Sequence, residues 1–326
     1  MKVIGIGNAL VDIVTSLNDE KLLDRFKLPR GSMTLVDREM SNLMNMETSG
    51  LKKTRASGGS AANTIHGIAN LGIETAYIGK IGQDDLGRFF LRDMEKVKIS
   101  PILYQSFNDT GRVIAFVSPD SERTMATYLG AAIELSEEDI SSGIFTGYDF
   151  LYIEGYLINN LKLVTKAIRL ARKNGLIVCI DLASYNIVEQ YKDALKEEVL
   201  NSVDIIFANE EEARALTGLP PEDAIEIISG YCDIAVVKTG AKGSIVKQKD
   251  LLVEVPALKV KSIDTTGAGD IYASGFLYGQ AKKLGLETSA RICTLLASKV
   301  IGVMGPKLSK ADWKEVKKEI EELTKE

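Results

Sequence analysis

Runs of residues typical of buried β-strands alternate with helical patterns through most of this chain. From Tyr148 onward the strand-like runs are DFLYIEG, LIVCID, DIIFAN and DIAVVKTG, and a helical pattern lies between each of them and the next. Parallel strands need such crossover helices, which cover the faces of the sheet. The alternation therefore predicts an α/β fold with a mostly parallel sheet and helices on both faces.

Two segments break this alternation. Residues 10–56 carry short alternating pieces, and residues 100–129 contain ILYQSF, RVIAFVS and RTMATYL with turn-forming residues between them. Strands joined by short turns form antiparallel sheets. We expect these two segments to form a small antiparallel β lid, and 1–9, 57–99 and 130–326 to form the core. A lid that closes over a site excludes water from it.

Composition excludes several classes of protein. The chain has 326 residues, a net charge of −5 and no basic cluster, so it lacks the positive surface of a nucleic-acid-binding protein. No stretch has the roughly 18 uncharged apolar residues of a membrane span, and the N-terminus lacks the layout of a secretory signal. Cys179, Cys232 and Cys293 are odd in number and far apart, as expected for free thiols in a reducing compartment. We expect a cytoplasmic protein that binds neither nucleic acid nor membrane.

The run IDTTGAGDIYASGF, residues 263–276, places small residues directly before a helical pattern. Gly267 and Gly269 let backbone N–H groups approach an anion, and the start of a helix adds a partial positive charge. Asp270, in the first turn, can accept a proton from a hydroxyl that lies beside a phosphoryl group. A glycine-rich turn with a first-turn Asp also begins many ordinary helices, but the whole combination predicts a phosphoryl-transfer site.

Two motifs together resemble those of the ribokinase-like PfkB carbohydrate kinases, a family that includes adenosine kinases. They are DTTGAGD at residues 264–270 and GGSAAN at residues 58–63, in the order found in that family. The resemblance implies a ribokinase-like three-layer α/β/α core with a lid, ATP as phosphoryl donor, and Mg²⁺. It also implies that Asp270 is the catalytic base. The amides that it assigns to the anion hole are those of Gly267, Ala268 and Gly269.

The acceptor side is assigned from the first strand and from the same resemblance. Asp12 follows the strand-like run KVIGIG, and a carboxylate there can accept hydrogen bonds from two sugar hydroxyls. A turn or capping role for Asp12 is the alternative. The resemblance adds four acceptor-binding residues: Asn8, Gly58, Gly59 and Asn63.

The kind of acceptor is open between two classes. GNALVD and RTMATYLGAA resemble the adenosine-kinase branch more than ribokinase, and Tyr156 stands where a relative's aromatic residue stacks on a base. Tyr156 also fits a packing role in the core. The pattern favours an adenosine-like ribonucleoside over a fructose- or ribose-type sugar.

Nucleotide and metal positions come mainly from the resemblance. Asn209 and Glu212 match an Asn-x-x-Glu motif that organises Mg²⁺ through water, although an N-cap Asn with acidic first-turn residues has the same pattern. Arg123 on the lid is expected to meet the phosphates, unless it is a solvated charge. Asp264, with the 302–309 loop, matches a K⁺ site of some relatives. The residues expected to line the nucleotide are Lys238, Thr239, Gly240 and Gly243.

Other functions fit the sequence less well. GIGNAL resembles a dinucleotide-binding turn, but Leu10 stands where a third glycine is required, and no Gly-x4-Gly-Lys-Ser/Thr loop is present. A non-catalytic sugar or nucleotide sensor on the same scaffold would not need Asp270. An exposed edge of the lid sheet would allow a homodimer to form.

Overall fold

The computed structural model describes residues 1–119 and 122–325. Numbered in chain order, its strands are β1 (Lys2–Ile6), β2 (Leu10–Ser16), β3 (Met33–Leu35), β4 (Lys53–Gly58), β5 (Glu74–Gly82), β6 (Ile99–Ser106), β7 (Gly111–Val117), β8 (Arg123–Tyr128), β9 (Phe150–Glu154), β10 (Ile177–Asp181), β11 (Ile205–Asn209), β12 (Ile234–Lys238), β13 (Ser244–Gln248) and β14 (Leu251–Val255). Its helices are α1 (Lys21–Arg25), α2 (Arg38–Glu47), α3 (Ser60–Asn70), α4 (Asp85–Lys96), α5 (Leu161–Lys173), α6 (Tyr185–Gln190), α7 (Lys192–Ala194), α8 (Glu210–Thr217), α9 (Pro221–Ile228), α10 (Ala268–Ala281), α11 (Leu286–Ile301) and α12 (Lys310–Leu323).

The large sheet has the strand order β14-β13-β12-β11-β10-β9-β1-β5-β6 within the described residues. Every pairing from β12 to β6 is parallel, and β13 and β14 add an antiparallel hairpin at one edge. The chain runs from β1 toward β6 on one side and from β9 toward β12 on the other. The order therefore reverses between β1 and β9, which is where ligands bind in open α/β sheets.

Helices cover both faces of this sheet because its strands are apolar on both sides. Leu151 and Ile153 of β9 face one cluster, to which α5, α8 and α9 contribute. Phe150 and Tyr152 face the other cluster, to which α3, α4, α10 and α11 contribute. The predicted three-layer α/β/α core with a mostly parallel sheet is confirmed.

A smaller sheet has the order β3-β8-β7-β2-β4 among the residues that the structure describes. The pairs β2–β4 and β7–β8 are antiparallel, as expected, whereas β2–β7 and β3–β8 are parallel. Ile114 and Ala126 share one face of this sheet and pack with Met44 of α2. Asp12, Val113 and Thr127 are paired neighbours and share the opposite face.

The expected boundaries of the lid need one correction. Strand β6, whose residues from 100 onward were assigned to the lid, pairs in parallel with β5 along its whole length and belongs to the large sheet. Helix α4 directly precedes β6, so β5, α4 and β6 form one more crossover unit of the core. At the other boundary, Ser57 and Gly58 complete β4 of the small sheet. The closing movement of a lid stays a prediction.

Two expectations from composition can be compared with the structure. No helix in residues 1–119 and 122–325 combines the length and apolar character that crossing a membrane requires. In the same residues, Cys179, Cys232 and Cys293 are unpaired thiols, of which the first and last are buried.

Candidate active site

Polar side chains stand at the carboxyl ends of successive strands of the large sheet. Strands β9, β10, β11 and β12 end in Glu154, Asp181, Asn209 and Lys238, and Asn8 closely follows β1. Because these strands are parallel, their carboxyl ends meet at one edge. The fold therefore gathers charges from distant parts of the sequence into one cleft.

Glu154 organises the acceptor motifs at the point where the strand order reverses. Its Oε1 accepts from the Asn8 side chain at 2.7 Å and from the Asn8 amide at 3.3 Å, and its Oε2 accepts from the Ala61 amide at 3.0 Å. Burial raises the pKa of Glu154 to about 7, although these bonds oppose the shift. Gly59 has φ +96°, and a Cβ there would stand 2.1 Å from the Asn8 carbonyl oxygen. The turn at Gly59 thus requires glycine.

Asp270 is held by the first turns of α3. Its carboxylate accepts from Ser60 Oγ at 2.7 Å and from Asn63 Nδ2 at 2.9 Å. Burial raises the pKa of Asp270 to about 6, and the bonds from Asn63 and Ser60 oppose that shift. The carboxylate is therefore fixed in orientation and titrates close to neutral pH, as a general base should.

The turn before Asp270 forms the mouth of α10. Gly267 caps this helix with φ +75°, and a Cβ there would stand 2.4 Å from Pro306 Cβ. The Ala268 amide is one of those assigned to the anion hole. It donates to the Thr265 carbonyl oxygen over a long distance, 3.2 Å. The ammonium of Lys238 lies beside Gly269 and adds a positive charge to the helix dipole.

Lys238 is itself paired with an acidic residue that the sequence did not single out. Its Nζ lies 2.8 Å from Asp181 Oδ2, and both side chains are largely buried. Burial lowers the pKa of Lys238, but Asp181 and Glu212 outweigh it and leave the pKa raised. Lys238 is therefore charged at the helix mouth. The sequence signal that was missed is a strand-final Asp in LIVCID.

Asn209 and Glu212 form a reciprocal cap at the start of α8. The Asn209 amide and side chain donate to Glu212 at 2.8 and 2.7 Å, and the Glu212 amide donates to Asn209 Oδ1 at 2.9 Å. This is the capping alternative considered for the motif, and it aims a buried carboxylate at the cleft. Burial raises the pKa of Glu212 to about 7.

A polar cavity of about 240 Å³ joins these groups. Its lining includes Gly59, Asn63, Tyr156, Asp181, Asn209, Glu212, Lys238, Gly269 and Asp270. Within the described residues, no three His, Cys, Asp or Glu side chains converge closely enough to hold a metal directly. Lys238 and Asn209 already contact the carboxylates of Asp181 and Glu212, so these two residues fit Mg²⁺ only through water and phosphate oxygens, which is how this ion is commonly bound.

A larger and mainly apolar cavity of about 630 Å³ adjoins the first one at Asn209, Lys238 and Gly269. Its walls include Leu258, Val260, Tyr272, Ala297 and Ile301, together with Gly240, Gly243 and Ala268. Thr239 is buried, and its amide donates to the Gly243 carbonyl oxygen at 2.8 Å, which closes the turn. A mainly apolar cavity that reaches a helix mouth suits a nucleotide base with its phosphates.

Asp264 does not offer a free carboxylate to K⁺. Its Oδ2 lies 2.7 Å from the Arg123 guanidinium and accepts from the Gly305 amide at 2.6 Å, while its Oδ1 accepts from the Thr266 amide at 3.0 Å. The two side chains are 9% and 5% exposed. A cation here would meet the guanidinium charge, so these residues do not fit K⁺. The expected contact of Arg123 with phosphate stays a prediction.

Asp12 lies on the inner face of the small sheet, opposite β4. A Cβ on Gly58 would stand 2.3 Å from Asp12 Oδ1, so the Asp12 carboxylate packs directly against the Gly58 backbone, where a side chain would not fit. Burial raises the pKa of Asp12 to about 6, and the charges of Lys307 and Arg123 oppose the shift. The structure thus places Asp12 and Gly58 together; neither is among the residues that line the polar cavity, but the charge of Asp270 still acts on Asp12.

Comparison with known proteins supports one class of activity. A model of the pfkB family of carbohydrate kinases matches residues 43–313. The structure of a probable sugar kinase from Rhizobium etli is 32% identical, with a TM-score of 0.87 over 98% of both chains. Adenosine kinase from Sinorhizobium meliloti is 33% identical, with a TM-score of 0.88 over 98% of this chain and 99% of that one. A nucleoside kinase from Methanocaldococcus jannaschii is 28% identical over 81% of this chain and 85% of its own.

The fold, the joined cavities and these relatives define a phosphotransferase with an alcohol group as acceptor, a sugar or nucleoside kinase. Such kinases take ATP as the phosphoryl donor. The chain belongs to the pfkB family of carbohydrate kinases, so the resemblance carried by DTTGAGD and GGSAAN is confirmed.

The raised pKa of Asp270 predicts an acid limb in the rate. A base must be unprotonated, and a pKa of about 6 means that the proton stays on until the pH exceeds that value. If Asp270 is the base, kcat/KM should fall as the pH drops through about 6, because kcat/KM reports the groups of the free enzyme. Ser60→Ala should move this limb upward, because a bond to the ionised form is lost, whereas Ser229→Ala, at the C-cap of α9, should not. If Ser60→Ala leaves the acid limb where it is, the assignment of Asp270 as the base is contradicted.

The Arg123–Asp264 pair predicts that turnover does not depend on K⁺. Replacing K⁺ by tetramethylammonium at constant ionic strength should change kcat by less than about twofold, because the guanidinium already offsets the carboxylate. In Arg123→Met the carboxylate loses that partner, so added K⁺ should raise the Tm of the variant and not of the wild type. Strong activation of the wild type by K⁺ would show that Asp264 binds the ion.

Proposed function

We propose that this protein is an ATP-dependent kinase that phosphorylates the primary hydroxyl of an adenosine-like ribonucleoside, with Asp270 as the base. One observation carries the proposal. Ser60 and Asn63 fix the Asp270 carboxylate at the mouth of α10, in the wall of the polar cavity and next to Gly269, which lines both cavities. That is where an acceptor hydroxyl would meet the terminal phosphate.

The mechanism assigns each role to a group in the cleft. Asp270 takes the proton of the acceptor hydroxyl as the new P–O bond forms and the bond to the leaving ADP oxygen breaks. Amides at the start of α10 and the Lys238 ammonium offset the charge on the migrating phosphoryl group. Mg²⁺, when bound near Asp181 and Glu212, neutralises phosphate oxygens.

Asn63 has a second role in this mechanism. Its Nδ2 donates to Asp270, and its buried Oδ1 has no protein partner within residues 1–119 and 122–325. An unpartnered buried carbonyl costs free energy until something donates to it. A hydroxyl of the acceptor can do so, which would align the acceptor with Asp270.

The inner face of the small sheet favours a nucleoside over a bare sugar. Leu10, Val113 and Ala132 form an apolar cluster there, on the same face as Asp12. Met125 and Leu129 pack against this cluster and are only partly buried, so a nucleobase would cover their exposed parts, while the ribose hydroxyls would bond to Asp12. A fructose- or ribose-type sugar is the alternative acceptor, since it would use Asp12 in the same way. A non-catalytic binding protein would have no use for an oriented Asp270.

The proposal also covers the movement of the small sheet, the oligomeric state and the location of the enzyme. Closure of the small sheet would exclude water from the cleft. Strands β3 and β4 form its edges among the described residues, and either could pair in a homodimer. We also propose a cytoplasmic enzyme whose partners are its small-molecule substrates.

Removing the base should separate catalysis from binding. Asp270→Asn keeps the size of the side chain, so the Kd for ATP should change little while kcat falls by about 10² to 10⁴. Asp85→Asn, which changes an exposed first-turn Asp of α4, should leave kcat unchanged. Turnover that survives Asp270→Asn would remove the assignment of the base.

A phosphorylation screen tests the class of acceptor. Purified protein with MgATP should phosphorylate a ribonucleoside with a higher kcat/KM than any pentose or hexose, as measured by ADP release. Tyr156→Ala should lower kcat/KM for nucleosides by about tenfold and affect sugars less, because stacking on the base is lost. Tyr185→Ala, at an exposed tyrosine, is the matched control. A sugar as the best substrate would overturn the nucleoside assignment.

A further inference from the structure

Lys307 places a buried ammonium next to the acceptor side of the cleft. It comes from the loop between α11 and α12, and only 17% of its side chain is exposed. Its Nζ donates to Asp93 Oδ2 at 2.7 Å and to Ser57 Oγ. Burial removes the water that would solvate this ammonium, so neighbouring groups must compensate its charge.

Three separate elements meet at this ammonium. Asp93 lies on α4, and Ser57 lies on β4 of the small sheet. Ser57 also donates to Asp93 Oδ2, from Oγ at 2.6 Å and from its amide at 3.3 Å. Burial opposes ionisation of Asp93, but Lys307 and Ser57 lower the pKa of Asp93 to about 2. Lys307 and Asp93 thus form an ion pair that anchors β4.

The anchored strand carries the surface on which Asp12 rests. Ser57 is followed by Gly58, whose backbone touches the Asp12 carboxylate. Two cations lower the pKa of Asp12, and Lys307 has the larger effect and Arg123 the smaller. Moving or neutralising Lys307 would therefore change both the position and the charge of Asp12.

The same loop touches the phosphate side of the cleft. The Gly305 amide donates to Asp264 Oδ2 at 2.6 Å, and Pro306 packs against Gly267, the cap of α10. Residues 305–307 therefore contact the start of the DTTGAGD motif, the helix mouth and the acceptor strand in succession. This loop therefore touches both halves of the cleft.

We propose that Lys307 is a positioning residue for the acceptor, which sets the place of β4 and balances the negative charge of Asp12. The proposal rests on the proposed function, because it takes Asp12 as the group that binds the acceptor hydroxyls. It assigns Lys307 no contact with either substrate. Its effect reaches the acceptor through Ser57, Gly58 and Asp12.

The charged groups around this pair define what pH should do. Asp12 faces Lys307, Arg123 and Asp270, and Lys307 faces Asp93, Asp12 and Lys96. His66 is also close, but burial lowers the pKa of His66 to about 3, so it stays neutral over the working range. Asp12 and Asp270, each with a pKa of about 6, titrate there, as do Glu154 and Glu212 with pKa values of about 7. Lys307 lowers the pKa of Asp12. Loss of the ammonium would raise that pKa, so Asp12 would bind a proton at higher pH.

The test compares Lys307→Met with Lys96→Met, which removes an exposed lysine 3.8 Å from the same Asp93. In Lys307→Met, the KM for the acceptor near pH 7 should rise by about two- to tenfold, while the KM for ATP stays within about twofold. The acid limb of kcat/KM for the acceptor should move upward by about one pH unit. Lys307→Arg should keep the wild-type profile, and Lys96→Met should leave all three values unchanged.

Two further measurements keep the result decisive. If Lys307→Met does not fold, the double variant Lys307→Met/Asp93→Asn removes the unpaired buried carboxylate and should show the same acid-limb shift. A ¹³C titration of the Asp12 carboxyl in the substrate-free protein, assigned with Asp12→Asn, should show a higher pKa in the double variant than in wild type. This titration does not require turnover. If no acceptor is turned over, the proposed function is contradicted, and the titration still tests the role of Lys307. An unchanged Asp12 titration, or an equal rise in both KM values, would overturn the role of Lys307.

Discussion

The parallel direction of the central strands is the constraint on which the site depends. Strands β9, β10, β11 and β12 each deliver a polar last residue to the same edge, although the strand behind it is buried on both faces, and Asn8 follows β1 there. Asn8 and Glu154 then meet where the strand order reverses, and α3 starts from the turn that they hold. The motif GGSAAN is therefore positioned by a carboxylate that lies outside the motif.

Three ion pairs around this cleft join different elements. Lys238–Asp181, Arg123–Asp264 and Lys307–Asp93 each join segments that are far apart in the chain. Breaking such a pair costs about 3 to 5 kcal/mol, yet replacing both partners by apolar residues is often neutral for stability. Stability alone does not explain three such pairs around one cleft. The first stands at the mouth of α10, and the other two connect the small sheet, through Arg123 and Ser57, to the loops on either side of α10 and α11.

The sequence predicted the features that are local in the chain. Strand and helix periodicity identified the parallel core, and DTTGAGD identified the mouth of α10 and Asp270. Features that depend on distant contacts were missed: Glu154 and Asp181 each end an ordinary buried strand, and Lys307 is one lysine in a loop. Strand β6 was assigned to the lid because its composition does not distinguish an edge strand of a parallel sheet from a strand of a hairpin. The helical pattern expected between LIVCID and DIIFAN is not one continuous helix, because it is broken at Tyr191, between α6 and α7.

One residue, Gly59, separates the last residue of β4 from the first residue of α3. Ser60, on the helical side of that junction, donates to Asp270, so the proposed closure of the small sheet would act on the angle of that carboxylate through the φ and ψ of Gly59. Water competes with the acceptor alcohol for the same phosphorus atom. The preference of the proposed reaction for the alcohol over futile hydrolysis would then depend on the two backbone dihedrals of one glycine.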